Sequence, residues 1–107
     1  MSDLTVTGLP TTTVQAIQGV LAKSPAVEQA ILYGSRAKGN YKRGSDIDLT
    51  LKGAELTFRE LLRLMDALDD LLLPYMIDLS LYAHIDNPAL REHIDRVGLV
   101  FYQRQIK

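Results

Sequence analysis

The sequence predicts an α/β (α+β) domain, a small mixed sheet with helices on one face and an acid-bearing face on the other. Three observations carry that prediction. Residues 46–51 and 76–82 alternate polar and aliphatic side chains with the period of a strand. Two longer stretches, following Pro10 and Thr57, carry apolar residues at helical spacing. The patterns interleave as helix, strand, strand, helix, strand, helix, which is the order of a layered α/β structure. At 107 residues the chain suits one modest core, so residues 1–107 are expected to form a single domain.

Composition narrows the function classes. A hydrophobic share of 47% with 23% charged residues matches an ordinary soluble globular protein. No apolar run approaches a membrane span, no basic-then-apolar leader opens the chain and there is no cysteine, so a reduced cytoplasmic compartment is expected. The absence of cysteine excludes disulfides, zinc–thiolate sites and thiol nucleophiles. A net charge of −1 argues against stable nucleic-acid binding, which favours an overall basic protein. No repeat or low-complexity segment interrupts the sequence.

Residues 1–9 fit either a short edge strand, from Leu4 and Val6, or a loose arm. After Pro10, the residues Val14, Ile17, Val20 and Leu21 share a helical face, and Ser24-Pro25 ends it because proline disfavours helix in the residue before it. Residues 27–33, apolar and β-branched, read as a buried strand that stops at Gly34. Residues 35–38 read as one helical turn and 40–44 as a polar loop. In the next strand Asp46, Asp48 and Thr50 share one face, while Ile47, Leu49 and Leu51 point to the core. Thr57 and Glu60 have the spacing of a capping box, with Leu56 and Leu61 as a hydrophobic staple. That helix, the longest expected, should bury Phe58, Leu61, Leu62, Met65, Leu68 and Leu72. Its charged face should pair Arg63 with Asp66. The strand at 76–82 sets Ile77, Leu79 and Leu81 inward and Asp78, Ser80 and Tyr82 on the other side. Asn87-Pro88 is a helix start, Leu90, Ile94 and Val97 its stripe, and Gly98 its C-terminal cap. Residues 99–102 form a last strand or an apolar extension, and 103–107 a frayed end.

The chemistry concentrates in residues 33–49. Gly34-Ser35 offers close backbone approach and successive amides, an anion-binding arrangement. Asp46 and Asp48 supply hard oxygen ligands suited to magnesium, and two carboxylates on one face raise each other's pKa without a cation between them. Asp78, on a strand of the same pattern, can join them if the two strands are neighbours. Three acids around two ions suit in-line nucleotidyl transfer. His84 and His93 read as surface residues, the leucine-rich third helix as core, and Tyr41 as a loop residue available to a base or partner.

Gly34-Ser35, ten residues, Asp46-x-Asp48 and then Asp78 together resemble the signature of the nucleotidyltransferase superfamily related to DNA polymerase β. The shortness of the chain makes it similar to the minimal nucleotidyltransferase (MNT) group, antitoxins of the HEPN–MNT toxin–antitoxin pairs. The resemblance implies that Gly34 and Ser35 hold the triphosphate of ATP, with Arg36 and Lys38 adding charge. It implies that Asp46 and Asp48 bind two Mg2+ ions, and that Asp78 helps hold the catalytic ion and activates the attacking hydroxyl. Lys42 and Arg43 serve either the nucleotide or the solubility of a surface turn. The implied reaction is AMP transfer from ATP to a hydroxyl, a tyrosine of a HEPN ribonuclease toxin, since the chain has no room for an acceptor domain. Two alternatives stand beside it: a binding-only antitoxin that covers its toxin, and a nucleotidyltransferase acting on a small molecule such as an antibiotic.

Overall fold

The structure, a computed structural model, describes residues 4–105. Four helices and four strands alternate: α1 (Thr11–Ala22), β1 (Gln29–Tyr33), α2 (Ser35–Lys38), β2 (Ile47–Lys52), α3 (Phe58–Asp69), β3 (Ile77–Leu81), α4 (Pro88–Val97) and β4 (Leu99–Gln103). The strands form one sheet in the order β3-β2-β1-β4. β1 runs antiparallel to β2 and β4, and β2 runs parallel to β3. The last strand is thus a true strand. No described helix is long and apolar enough to cross a membrane.

Alternation along the strands separates two apolar layers. Ala30, Leu32, Ile47, Leu49, Leu51, Leu79, Leu81 and Phe101 turn to one face, where Ile17 and Leu21 of α1 and Leu61, Leu64 and Leu68 of α3 complete the main core. Full burial of each such aliphatic side chain contributes about 1.5–3 kcal/mol. Ile31 and Tyr33 turn the opposite way and pack with Ile94 of α4. Ile31 and Tyr33 stand opposite Thr50 and Asp48 in the β1–β2 ladder, so α4 lies on the acid-bearing face. The expectation of helices on one face holds for α1 and α3, while α4 covers the β1 side of the other face. Asn87 starts α4 as expected: its side chain accepts the Ala89 and Leu90 amides ahead of Pro88.

Several local expectations change. Residues 5–7 form a 3-10 turn with Thr7 fully buried, neither edge strand nor loose arm; residues 1–3, and 106–107 of the expected frayed end, lie outside the described residues. Thr57 caps α3 by accepting the Glu60 amide, but the Glu60 carboxylate takes the Ser24 hydroxyl and Arg63 instead of closing the box. Arg63 therefore does not pair with Asp66. α3 is no longer than α1, at 12 residues each. Its buried stripe is Leu61, Leu64 and Leu68, whereas Phe58, Leu62, Met65 and Leu72 are exposed. Gly98 ends α4 without the left-handed cap conformation (φ −62°). It is required because a Cβ there would sit 2.4 Å from the Ile94 carbonyl oxygen and 2.5 Å from Ile31 Cγ2.

Candidate active site

The parallel pairing of β2 with β3 sets Asp48 opposite Asp78, and the β1–β2 ladder sets Asp48 opposite Tyr33. Opposed residues on neighbouring strands share a face, so both carboxylates and the phenol project from the same side of the sheet. Thr50 and Ser80, the next pair along, bridge the strands through a 3.0 Å hydrogen bond donated by the Ser80 hydroxyl. Asp46 precedes the strand and is exposed, as is Asp78, while Asp48 is half-buried.

Asp48 bears the electrostatic load. Burial pushes its pKa above the ordinary carboxylate value, and repulsion from Asp78 and then Asp46 pushes it further, with His93 acting in the opposite direction. The Tyr33 phenol is likewise raised, chiefly by burial; Ser80 hydrogen bonding opposes this, and Asp78 and Asp48 add to it. His93 approaches the Tyr33 ring edge-on, with centroids 6.3 Å apart. It is half-buried beside the acids, where the sequence pointed to the surface; His84 is exposed. The register of α4 over β1, which no local pattern encodes, brings His93 there.

The turn after β1 is built against the same carboxylate. Gly34 has φ +79°, and a Cβ on it would fall 2.4 Å from Asp48 Oδ2. Glycine is therefore needed both for the left-handed backbone and for close approach to the acid. α2 follows at once, and its first amides, unspent in intrahelical bonds, lie beside Ser35. Lys38 is exposed at the end of this turn.

Arg36 departs from the expected nucleotide-binding set. It is 3% exposed. Its guanidinium donates to the Thr7 carbonyl at 2.9 Å and the Ser45 carbonyl at 3.1 Å. The rings of Tyr41 and Tyr75 flank it at 4.9 and 5.0 Å. Buried and bonded in this way, Arg36 is a strut that holds the loop leading into Asp46, and it is not presented to a polyphosphate. Tyr41 is engaged in the same stack. Lys42 and Arg43 are exposed on a turn closed by Ser45, whose hydroxyl accepts the Lys42 amide at 2.8 Å.

The acids fit a hard divalent ion in donor chemistry. Among the described residues no group of three or more acids or histidines is gathered closely enough to form a complete metal cage. Magnesium takes few protein carboxylates and fills its octahedron with water and phosphate oxygens, so an open set whose members repel one another suits it.

The mixed four-stranded sheet with its helices matches the polymerase β-like nucleotidyltransferase fold. The family described as Polymerase beta, Nucleotidyltransferase matches residues 15–107, and the chain belongs to it. The protein is a nucleotidyltransferase of this type.

Among solved structures, the chain is similar to one from a toxin–antitoxin crystal structure with AMP-PNP (TM-score 0.69, 23% identity, 86% of this chain and 74% of that one). It is also similar to one from the complex of a tri-AMPylated Shewanella oneidensis HEPN toxin with an MNT antitoxin (TM-score 0.65, 20% identity, 88% and 72%). A third is a protein from Sulfolobus solfataricus described as a proposed nucleotidyltransferase (TM-score 0.52, 20% identity, 85% and 77%). At these identities the similarity is one of fold. No curated protein matches the chain in sequence.

Proposed function

We propose that the protein transfers AMP from ATP to a tyrosine hydroxyl of a HEPN ribonuclease toxin and so acts as its antitoxin in the cytoplasm. The observation that carries this is the Asp48–Asp78 pair in register on parallel strands, with the Gly34 turn packed against it. Structural similarity to chains of complexes containing AMP-PNP or an AMPylated HEPN toxin supports the choice of donor and acceptor.

In this proposal the Gly34-Ser35 turn binds the triphosphate through backbone amides and the Ser35 hydroxyl, and Lys38 adds charge from the end of α2. Asp46, Asp48 and Asp78 would hold Mg2+, which when bound neutralises charge on the phosphates and on the leaving oxygen. Asp78 orients the acceptor hydroxyl and takes up its proton. The tyrosine oxygen forms a bond to the α-phosphorus as the bond to the β-phosphate oxygen breaks, and pyrophosphate leaves. Arg36 acts indirectly, by holding the segment before Asp46.

The test combines Asp46→Asn with Asp48→Asn. Intact-mass analysis of a HEPN partner incubated with ATP, magnesium and wild type should show added AMP, and the double variant should add none and fail to neutralise the toxin. A variant that still neutralises would establish steric cover instead. Adenylation of an antibiotic, with none on the HEPN protein, would establish small-molecule transfer.

A further inference from the structure

The acid-face chemistry leaves unused an apolar strip on α3. Phe58, Leu62 and Met65 are 60%, 46% and 37% exposed, in alternating steps of four and three residues, the seam spacing of paired helices. The next step, at the helix end, falls on the exposed Asp69, and Leu72 just beyond it is 88% exposed and at φ +53°. A left-handed backbone at a helix end ordinarily selects glycine, so this leucine bears both conformational strain and apolar exposure.

The neighbouring strip is charged in an order that does not suit its own helix. Arg59 and Arg63 occupy the N-terminal half, and Asp66 and Asp70 the C-terminal end. The macrodipole favours the reverse. Arg63 meets Glu60, and among the described residues Arg59, Asp66 and Asp70 form no ion pair.

We infer that α3 packs against α3 of a second copy of this chain, antiparallel about a two-fold axis at the middle of the helix. That symmetry brings Leu62 to the level of the other copy's Met65 and keeps the two charged strips on the same side, reversed in direction. Arg59 and Arg63 of each copy then lie beside Asp66 and Asp70 of the other. Each acidic helix end also lies beside the other copy's positive N-terminus, so an order unfavourable within one helix becomes favourable between two. α3 packs on β3 and α1 with its other sides, and the exposure of Phe58, Leu62 and Met65 leaves this one open to such a contact. The acids face the opposite side of the sheet and stay accessible. The inference does not depend on the acceptor or on transfer itself.

Sedimentation equilibrium of the full chain across concentration should show a monomer–dimer equilibrium that weakens with salt. Leu62→Glu should give a monomer with an unchanged circular dichroism spectrum. Leu72→Gly should weaken the dimer while retaining thermal stability, because it relieves the strained backbone. Arg59→Glu with Arg63→Glu, and separately Asp66→Arg with Asp70→Arg, should each give monomers, and mixing the two variants should restore a dimer. A wild type that stays monomeric, a dimer indifferent to Leu62→Glu, or no recovery on mixing would overturn the inference. A monomer that uses this strip only to bind a HEPN protein would overturn it equally.

Discussion

At Asp48 three costs meet: partial burial, Asp78 in register on the next strand, and Asp46 two residues earlier. All three raise its pKa, so the folded protein holds that proton more tightly than the unfolded chain does. The associated stability is fully present below the ordinary carboxylate range and is lost as pH rises through the raised native value. Asp48→Asn removes this loss. Thermal unfolding across pH should therefore show the variant more stable than wild type at neutral pH, with the difference disappearing in acid. Magnesium should raise the melting temperature of wild type more than that of Asp48→Asn. Asp48 and Asp78 were legible as a pair because strand alternation turns both away from the core, whereas Asp46, read as part of the strand, lies just before it. Arg36 was not legible: a basic residue after Gly-Ser looks the same whether it faces solvent or turns inward between Tyr41 and Tyr75. His93 was illegible for a similar reason, since its neighbours on the acid face come from β1 and β2.

Caps and punctuation made most elements readable. Thr57 and Asn87 both accept the amides their positions predict, and Gly34 and Pro25 end their segments as expected. The burial of α3 was misassigned because its apolar residues form two adjacent stripes, Leu61–Leu64–Leu68 and Phe58–Leu62–Met65. Periodicity detects their union, and only the sheet beneath selects between them. α4 shows how an element can control a site from a distance. Its hold on the segment after β3 includes the Tyr82 hydroxyl donating to Asp95 at 2.8 Å and Arg91 donating to the Ile85 carbonyl at 3.0 Å. Gly98 permits its close contact with Ile31. Gly98→Ala should lift the end of α4 off Ile31 and lower the melting temperature, which thermal melts of the variant can measure.

Across the whole molecule, Arg36 joins the N-terminal turn, the loop before Asp46 and the segment before β3, through Thr7, Ser45 and Tyr75. Lysine is a single point charge and cannot reproduce both carbonyl bonds and the stacking on two rings. Each buried carbonyl left without its donor costs about 1–3 kcal/mol. Arg36→Lys should thus lower the denaturant midpoint clearly, with activity recovered under stabilising conditions because nucleotide binding is not its task. The sheet order was only partly legible. Similar patterns in two strands suggested that they were neighbours, but nothing local specified their parallel direction or the placement of β4 against β1.

That parallel pairing has a kinetic consequence. β2 and β3 cannot meet through a hairpin, and the connection from Lys52 to Ile77 must first fold over the sheet as α3. Such a long-range closure incurs its entropic cost before its contacts reward it. A growing chain therefore holds Asp46 and Asp48 well before it holds Asp78 beside them. The carboxylate pair is completed only by the closure across α3, so a partly synthesised chain carries the Gly34 turn and Asp48 without Asp78.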